Sequence, residues 1–245
     1  MKSFITGTLI FLAMGLNAQT QIIAHRGVWQ AEGSAQNSIK SLKLAQKEGV
    51  YGSEFDVRMT KDLFLVVNHD PDINGVVIDS TDYKELRKQK LKNGEKLPSL
   101  REYLIQGKKN PSVKLILEIK EIPDAFKEIL TIEKTLEEIK EFDFGDQIQY
   151  ISFSLYACKL IKEKMPNAVV LYLKGDLSPA QVKAAGLDGL DYHYSVFQKH
   201  PNWLKESKEL HLITNVWTVD DRQIYEWLKS EDVDFITTNR AAEFK

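Results

Sequence analysis

The chain is poor in the residues that staple, hinge or span. One cysteine, Cys158, among 245 residues excludes a disulfide framework and any zinc site built on several cysteines of one chain. The seven prolines and 13 glycines form no linker, and no internal repeat or low-complexity tract occurs, so a single domain is expected. Charge of one sign is also lacking. The 33 Lys+Arg and 35 Asp+Glu nearly cancel, which argues against a broad nucleic-acid footprint, and nucleic acid is not an expected partner. Histidine is scarce, at five residues. No apolar run reaches the ~20 residues that a membrane span needs. The longest, Phe4–Leu16, follows Lys2 and leads to a small residue, Ala18. That layout reads as a secretory signal over residues 1–18, with Ala18 the last residue removed. The expected mature domain, 19–245, is then exported, periplasmic or secreted, with no stable membrane insertion.

What remains is a regular alternation. Strand-like runs fall at Gln21–Ala24, Ser53–Val57, Leu63–Asn68, Lys114–Ile119, Gln147–Phe153, Ala168–Leu173, Leu212–Val219 and Val233–Thr237, with a weaker one at Gly189–Tyr192. Helical spacing of apolar residues marks Ser38–Glu48, Leu100–Lys108, Pro123–Phe142, Leu155–Lys164, Ser178–Ala185 and Asp220–Lys229. The expected fold is α/β, a single-domain (β/α)8 barrel of the TIM type. Nine strand candidates exceed the eight of a closed barrel, so one is peripheral. Val57 and Leu63 are too close for the crossover helix that parallel neighbours require. The segment 53–69 therefore reads as a hairpin-like excursion with Lys61-Asp62 at its tip, Met59 opposite Phe64 and Val57 opposite Val66.

In such a barrel the chemistry gathers where strands end. Four strand ends carry unusual residues: Ala24-His25-Arg26-Gly27, Glu54-Phe55-Asp56, Asn68-His69-Asp70-Pro71 and Leu117-Glu118-Ile119-Lys120. Period-two spacing puts Glu54 and Asp56 on one face of a strand, and Glu118 and Lys120 on one face of another. Buried carboxylates are costly unless paired or metal-bound. Glu54, Asp56 and Glu118 together point to one hard divalent cation, Mg²⁺ or Ca²⁺. Each piece alone has a bland reading, such as a solvated histidine or a surface strand face. Their joint occurrence at strand ends does not.

The ordered set AHRG (24–27), QNS (36–38), EFDVRMTKD (54–62), NHDP (68–71), LPSL (97–100), LEIK (117–120) and VWTVD (216–220) resembles the glycerophosphodiester phosphodiesterase family. The resemblance runs from about Ile22 to Arg240. It implies a barrel of the phospholipase-C-like type that hydrolyses a small-molecule phosphodiester with a divalent metal. It also implies His25 and His69 as the acid–base pair, Glu54, Asp56 and Glu118 as metal ligands, Arg26 and Lys120 as phosphate contacts, and Trp217 as a wall of the substrate pocket. A cyclising lyase like phosphatidylinositol phospholipase C or sphingomyelinase D fits the same residues. A non-catalytic binding module would be expected to have lost one of them.

The chain departs from the family pattern at Gln36, where a carboxylate is usual, in the segment Asp72-Ile73-Asn74-Gly75, and at Asn239, where an aspartate commonly precedes Arg240. Asn37 is expected to cap the helix that follows. Tyr192-His193-Tyr194 is a candidate for the pocket wall, and Trp29 for the substrate's flank. His200 and His211 read as structural or solvated, Trp203 and Trp227 as core-edge residues, and Cys158 as inert. The basic run Lys84–Lys96 reads as a solvated helix face.

Overall fold

A computed structural model of the protein describes residues 19–245; the expected signal segment, 1–18, lies outside them. The strands are β1 (Gln21–Ala24), β2 (Gly52–Met59), β3 (Leu65–Val67), β4 (Asp72–Ile73), β5 (Val76–Val77), β6 (Lys114–Ile119), β7 (Ile148–Ser152), β8 (Val169–Tyr172), β9 (Gly189–His193), β10 (Ile213–Trp217) and β11 (Phe235–Thr238). Between them lie α1 (Ile39–Glu48), α2 (Tyr83–Leu86), α3 (Leu100–Gly107), α4 (Ala125–Lys140), α5 (Leu155–Lys164), α6 (Pro179–Ala184), α7 (Tyr194–Lys199), α8 (Trp203–Glu209), α9 (Arg222–Ser230) and α10 (Ala241–Phe244).

Eight of these strands run parallel in the order β1-β2-β6-β7-β8-β9-β10-β11, and β11 pairs back with β1 through Gln21↔Phe235 to Ala24↔Thr238. The barrel is therefore closed, as expected. The supernumerary candidate is Leu63–Asn68, whose β3 pairs antiparallel with β2. The weak candidate Gly189–Tyr192 is a barrel strand, flanked by β8 and β10.

Period two divides the side chains into two cores. Residues such as Phe55, Val57, Leu115, Leu117, Tyr150, Val170 and Tyr192 face outward and pack under the helices with Leu42, Leu104, Ile132 and Ile161. Ile23, Ile116, Ile151, Leu171 and Leu173 face inward and fill the barrel. Full burial of each such aliphatic side chain contributes about 1.5–3 kcal/mol. Strand-to-helix turns are set by side-chain caps: Ser38, Ser99, Ser154 and Ser178 each accept an N–H from the following first turn. Ser38, not Asn37, thus caps α1. Lys84–Lys96 is not one helix face either: only Tyr83–Leu86 is helical, and the rest is a turn over a small core of Val66, Ile73, Ile78, Leu86 and Leu97.

The hairpin exists, but its register differs by one residue. Val57 faces Val67, Arg58 faces Val66 and Met59 faces Leu65. The cause is the turn. Three residues, Lys61-Asp62-Leu63, form the loop, Thr60 N–H bonds to Phe64 O at 2.8 Å, and Leu63 is left-handed at φ +68°. The slip puts Leu65 and Val67 into the main core, Val66 into the small one, and Arg58 against the His69 carbonyl. A β-carbon in the left-handed region costs about 1–2 kcal/mol. Leu63 is 42% exposed, so little packing offsets that cost. Leu63→Gly is expected to raise the unfolding free energy by about 0.5–1 kcal/mol in urea denaturation, and Leu63→Val to lower it. A loss of stability in the glycine variant would contradict this reading of the turn.

Candidate active site

The β1 strand ends in two consecutive left-handed residues, Arg26 at φ +56° and Gly27 at φ +76°. A β-carbon on Gly27 would lie 2.5 Å from Ser41 Oγ and 2.8 Å from the Ser41 backbone carbon, so only glycine fits there. The reversal aims the Arg26 backbone N–H at Glu54 Oε2, 2.8 Å away. It also brings the Arg26 side chain back over the barrel mouth, where Nη1 donates to Gln36 Oε1 at 2.8 Å and Nε lies 3.7 Å from Asp56 Oδ2. Gln36 therefore serves Arg26 and is not part of the acidic cluster. Asn37 is buried and clamps Asp56 from both sides, donating to Oδ2 at 2.7 Å and accepting the Asp56 N–H at 3.2 Å.

Neighbouring strands β2 and β6 pair with Asp56 opposite Glu118, so the expected face-sharing becomes a cluster. Glu54, Asp56 and Glu118 are buried and each offers an oxygen within 4.8 Å of the others. The Lys120 ammonium lies 2.5 Å from Asp56 Oδ1 and 2.7 Å from Glu118 Oε1, while Glu54 Oε1 has no partner among the described residues. Burial, then Asp56 and Glu118, push the Glu54 carboxyl well above the ordinary range. Burial and Asp56 push Glu118 up to about 7. Burial opposes ionisation of Asp56 as well, but Lys120, His69 and Arg26 outweigh it and hold its carboxyl below the usual range. The cluster is short of positive charge and has an unpartnered carboxylate oxygen. Three hard oxygen donors in that condition suit a divalent cation.

Each imidazole is oriented through Nδ1. His69 Nδ1 meets Asp70 Oδ1 at 2.8 Å, and Arg58 holds its backbone carbonyl through Nε at 2.8 Å and Nη2 at 2.6 Å. His25 Nδ1 meets Asn239 Oδ1 at 2.9 Å, and the Trp29 indole N–H donates to the same oxygen at 2.9 Å. Asn239 Nδ2 in turn donates to Asp220 Oδ2 at 2.6 Å. The indole can only donate, so the oxygen of Asn239 must face it, and His25 Nδ1 must carry the proton. Nε2 of His25 is left with its lone pair in the cavity, 4.0 Å from Glu54 Oε2. Burial first, and the Arg26 charge second, lower the His25 pKa to about 4, so the ring is neutral at pH 7. Burial also lowers that of His69.

His25, Arg26, Glu54, His69, Glu118, Lys120 and Trp217 line one cavity of about 180 Å³, and Asp56 lies just beneath it in the cluster. All eight residues singled out in the sequence are thus brought together. Trp217 stands edge-on to Phe153 and donates its N–H to the Asp191 carbonyl at 2.8 Å. The Tyr192-His193-Tyr194 expectation fails. Tyr192 points into the outer core and bonds to Leu177 O, while His193 caps α7 beside Trp217. Trp29 lies on an adjoining cavity of about 470 Å³ with Gln36, Asp70 and Asp72. His200 stacks on Trp203, and Cys158 is buried, its thiol pushed up to about 12 by burial. Sequence reasoning missed Asp191 and the part played by Asn239 and Asp220. The departure at Asn239 was the one visible signal.

An acidic cluster with two cations and two oriented imidazoles, at the C-terminal mouth of a closed barrel, defines a phosphodiesterase-like barrel site. The model of the Glycerophosphoryl diester phosphodiesterase family matches residues 25–243. A glycerophosphodiester phosphodiesterase of Caldanaerobacter subterraneus subsp. tengcongensis is 28% identical over 236 residues, covering 90% of this chain and 94% of its own. The crystal structure of a glycerophosphodiester phosphodiesterase from Parabacteroides distasonis is 46% identical, with a TM-score of 0.90 over 93% of this chain and 95% of that one. A phosphodiesterase of Oleispira antarctica, solved with its product sn-glycerol-3-phosphate, shares the fold at a TM-score of 0.79 and 22% identity, over 92% of this chain and 95% of that one. The chain belongs to the glycerophosphoryl diester phosphodiesterase family and is a phosphoric diester hydrolase.

Asn239→Leu keeps the side chain's size and removes the acceptor shared by His25 and Trp29. It is expected to lower kcat by about 10²-fold. Nitrogen-15 NMR should show the His25 ring leaving the Nδ1–H tautomer. An unchanged tautomer would mean that other contacts orient the ring.

Proposed function

We propose that the protein hydrolyses a glycerophosphodiester to glycerol 3-phosphate and an alcohol, with His25 and His69 exchanging protons and a cyclic phosphate between the two half-reactions. One observation carries this reading: two histidines with Nδ1 engaged line the same cavity as the acidic cluster and both cations. Glu54, Asp56 and Glu118 would hold one Mg²⁺ or Ca²⁺, which when bound supplies Lewis-acid neutralisation of the phosphate charge. The Arg26 guanidinium and the Lys120 ammonium add fixed positive charge for the phosphate oxygens.

In the first half-reaction one imidazole Nε2 accepts the proton of the glycerol 2-hydroxyl, whose oxygen attacks phosphorus. The other histidine, protonated, gives its proton to the departing alkoxide, and the O–P bond to the head group breaks. The roles then reverse. The second ring takes a proton from water, whose oxygen opens the cyclic phosphate, and the first returns its proton to the 2-oxygen. Trp217 and Phe153 form the apolar wall that excludes water from the carbon side of the substrate. Glycerol 3-phosphate as the product is supported by its presence in the Oleispira relative.

Phosphodiesters of glycerol with choline, ethanolamine, glycerol and inositol, assayed with and without a chelator, test the reading. At least one is expected to turn over, and both the chelator and His25→Ala are expected to reduce its rate by 10²-fold or more. Activity that survives both refutes the site, and a cyclic phosphate persisting in phosphorus NMR reassigns the reaction to a cyclising lyase. Separately, millimolar Mg²⁺ or Ca²⁺ is expected to raise the Tm of chelator-treated protein, and Glu118→Gln to abolish that rise. An equal rise in the variant would place the ion elsewhere.

A further inference from the structure

Asp191 is a buried carboxyl that the proposed mechanism leaves idle. It lies on β9 between Leu190 and Tyr192, which face the outer core, so period two turns it into the barrel. There it is 1% exposed and lines the catalytic cavity on the side of Ile151, Phe153, Leu173 and Trp217. Its Oδ1 has no hydrogen-bond partner among the described residues.

Asn215 is the neighbour whose side chain hydrogen-bonds toward the carboxyl, and it leaves Oδ1 unsatisfied; the other candidates are committed elsewhere. Asn215, opposite it on β10, exchanges hydrogen bonds with Thr237, Nδ2 donating to Oγ1 at 2.9 Å and Oγ1 donating to Oδ1 at 3.1 Å. The Trp217 N–H is taken by the Asp191 backbone carbonyl, and Arg26 and Lys120 are drawn to Asp56 and Glu118. Asp191 also stands outside the group of carboxylates close enough to share a cation. A buried carboxyl oxygen left without a partner destabilises the fold, so its place in a substrate cavity calls for a partner that arrives with the substrate.

We infer that Asp191 is a substrate-binding residue that receives a hydroxyl of the glycerol moiety and so selects the polyol end of the phosphodiester. The inference rests on the function proposed above. Two features favour a hydroxyl over a charged group. Burial pushes the carboxyl up to about 8, so at pH 7 it is predominantly neutral and both donates and accepts, as a hydroxyl does. The anionic phosphate belongs with Arg26 and Lys120, which follow β1 and β6, whereas Asp191 is on β9, across the barrel from β2, so the three-carbon unit attached to the phosphate extends along the apolar wall toward it.

The test compares two substrate pairs on wild type, Asp191→Leu and Asp191→Asn. The first pair is a glycerophosphodiester and its analogue lacking the terminal glycerol hydroxyl. The second is the choline ester and its uncharged dimethylbutyl counterpart. Wild type is expected to favour the full glycerol by tenfold or more in kcat/KM, because a site built to bond a hydroxyl rejects the analogue without it. Asp191→Leu is expected to erase that preference, leave the choline-to-dimethylbutyl ratio unchanged, and melt at or above the wild-type Tm. Asp191→Asn, which keeps a donor and an acceptor, should retain part of the preference and carries the test if the leucine variant does not fold. An unchanged glycerol preference in both variants, or loss of the choline preference instead, overturns the assignment. A fall in Tm with the preference intact would make Asp191 structural. Wild type that turns over no glycerophosphodiester sinks the proposed function, and this inference with it.

Discussion

The site depends on crowding three carboxylates around one ammonium inside a barrel. Glu54, Asp56 and Glu118 come from two paired strands, and Lys120 reaches back over Asp56 and Glu118 from just past the end of β6. One buried ammonium and a nearby guanidinium do not balance three carboxylates in a space from which water is largely excluded. The result is a cluster in which Glu54 and Glu118 resist ionisation and one carboxylate oxygen, Glu54 Oε1, has no partner among the described residues. Around it the other pieces follow: the Arg26 backbone turns to meet Glu54, and Asn37, in the turn ahead of α1, clamps Asp56.

Closure of the barrel is the second requirement. His25 sits at the end of the first strand and Asn239 just past the last, 214 residues apart, and only the β1–β11 pairing makes them neighbours. The chain Asp220–Asn239–His25 then fixes which imidazole nitrogen carries the proton. An amide at 239 passes no full charge to the ring, in contrast to the aspartate common in the family. The nearest carboxylate on that side is one hydrogen bond further away, and the ring stays neutral where it is buried.

The barrel and its acidic face were legible because both rest on short-range pattern. Strand and helix alternate along the chain, and Glu54 and Asp56, two residues apart, must share a face whatever lies opposite. The hairpin register is not legible in the sequence, because it turns on whether the loop holds two residues or three, and Leu63 in a left-handed conformation is not announced by its sequence. The cap expected at Asn37 falls to Ser38 because an amide next to a serine at a helix start gives two candidates, and only the position of Asp56 decides between them. Asp191 went unnoticed between more conspicuous aromatics. Its interest lies in one oxygen without a partner, which no sequence displays.

The sequence by itself determined the order of elements, the inward direction of the carboxylates and the residue types gathered at strand ends, because each follows from local periodicity. Only the tertiary structure decided which groups became partners: that His25 donates to Asn239, that Gln36 serves Arg26, and that Asp191 faces the cavity with one oxygen unpartnered. Partnership depends on which strands lie side by side after closure and how far each is shifted along its neighbour. Those are properties of the closed sheet, not of any stretch of chain within it.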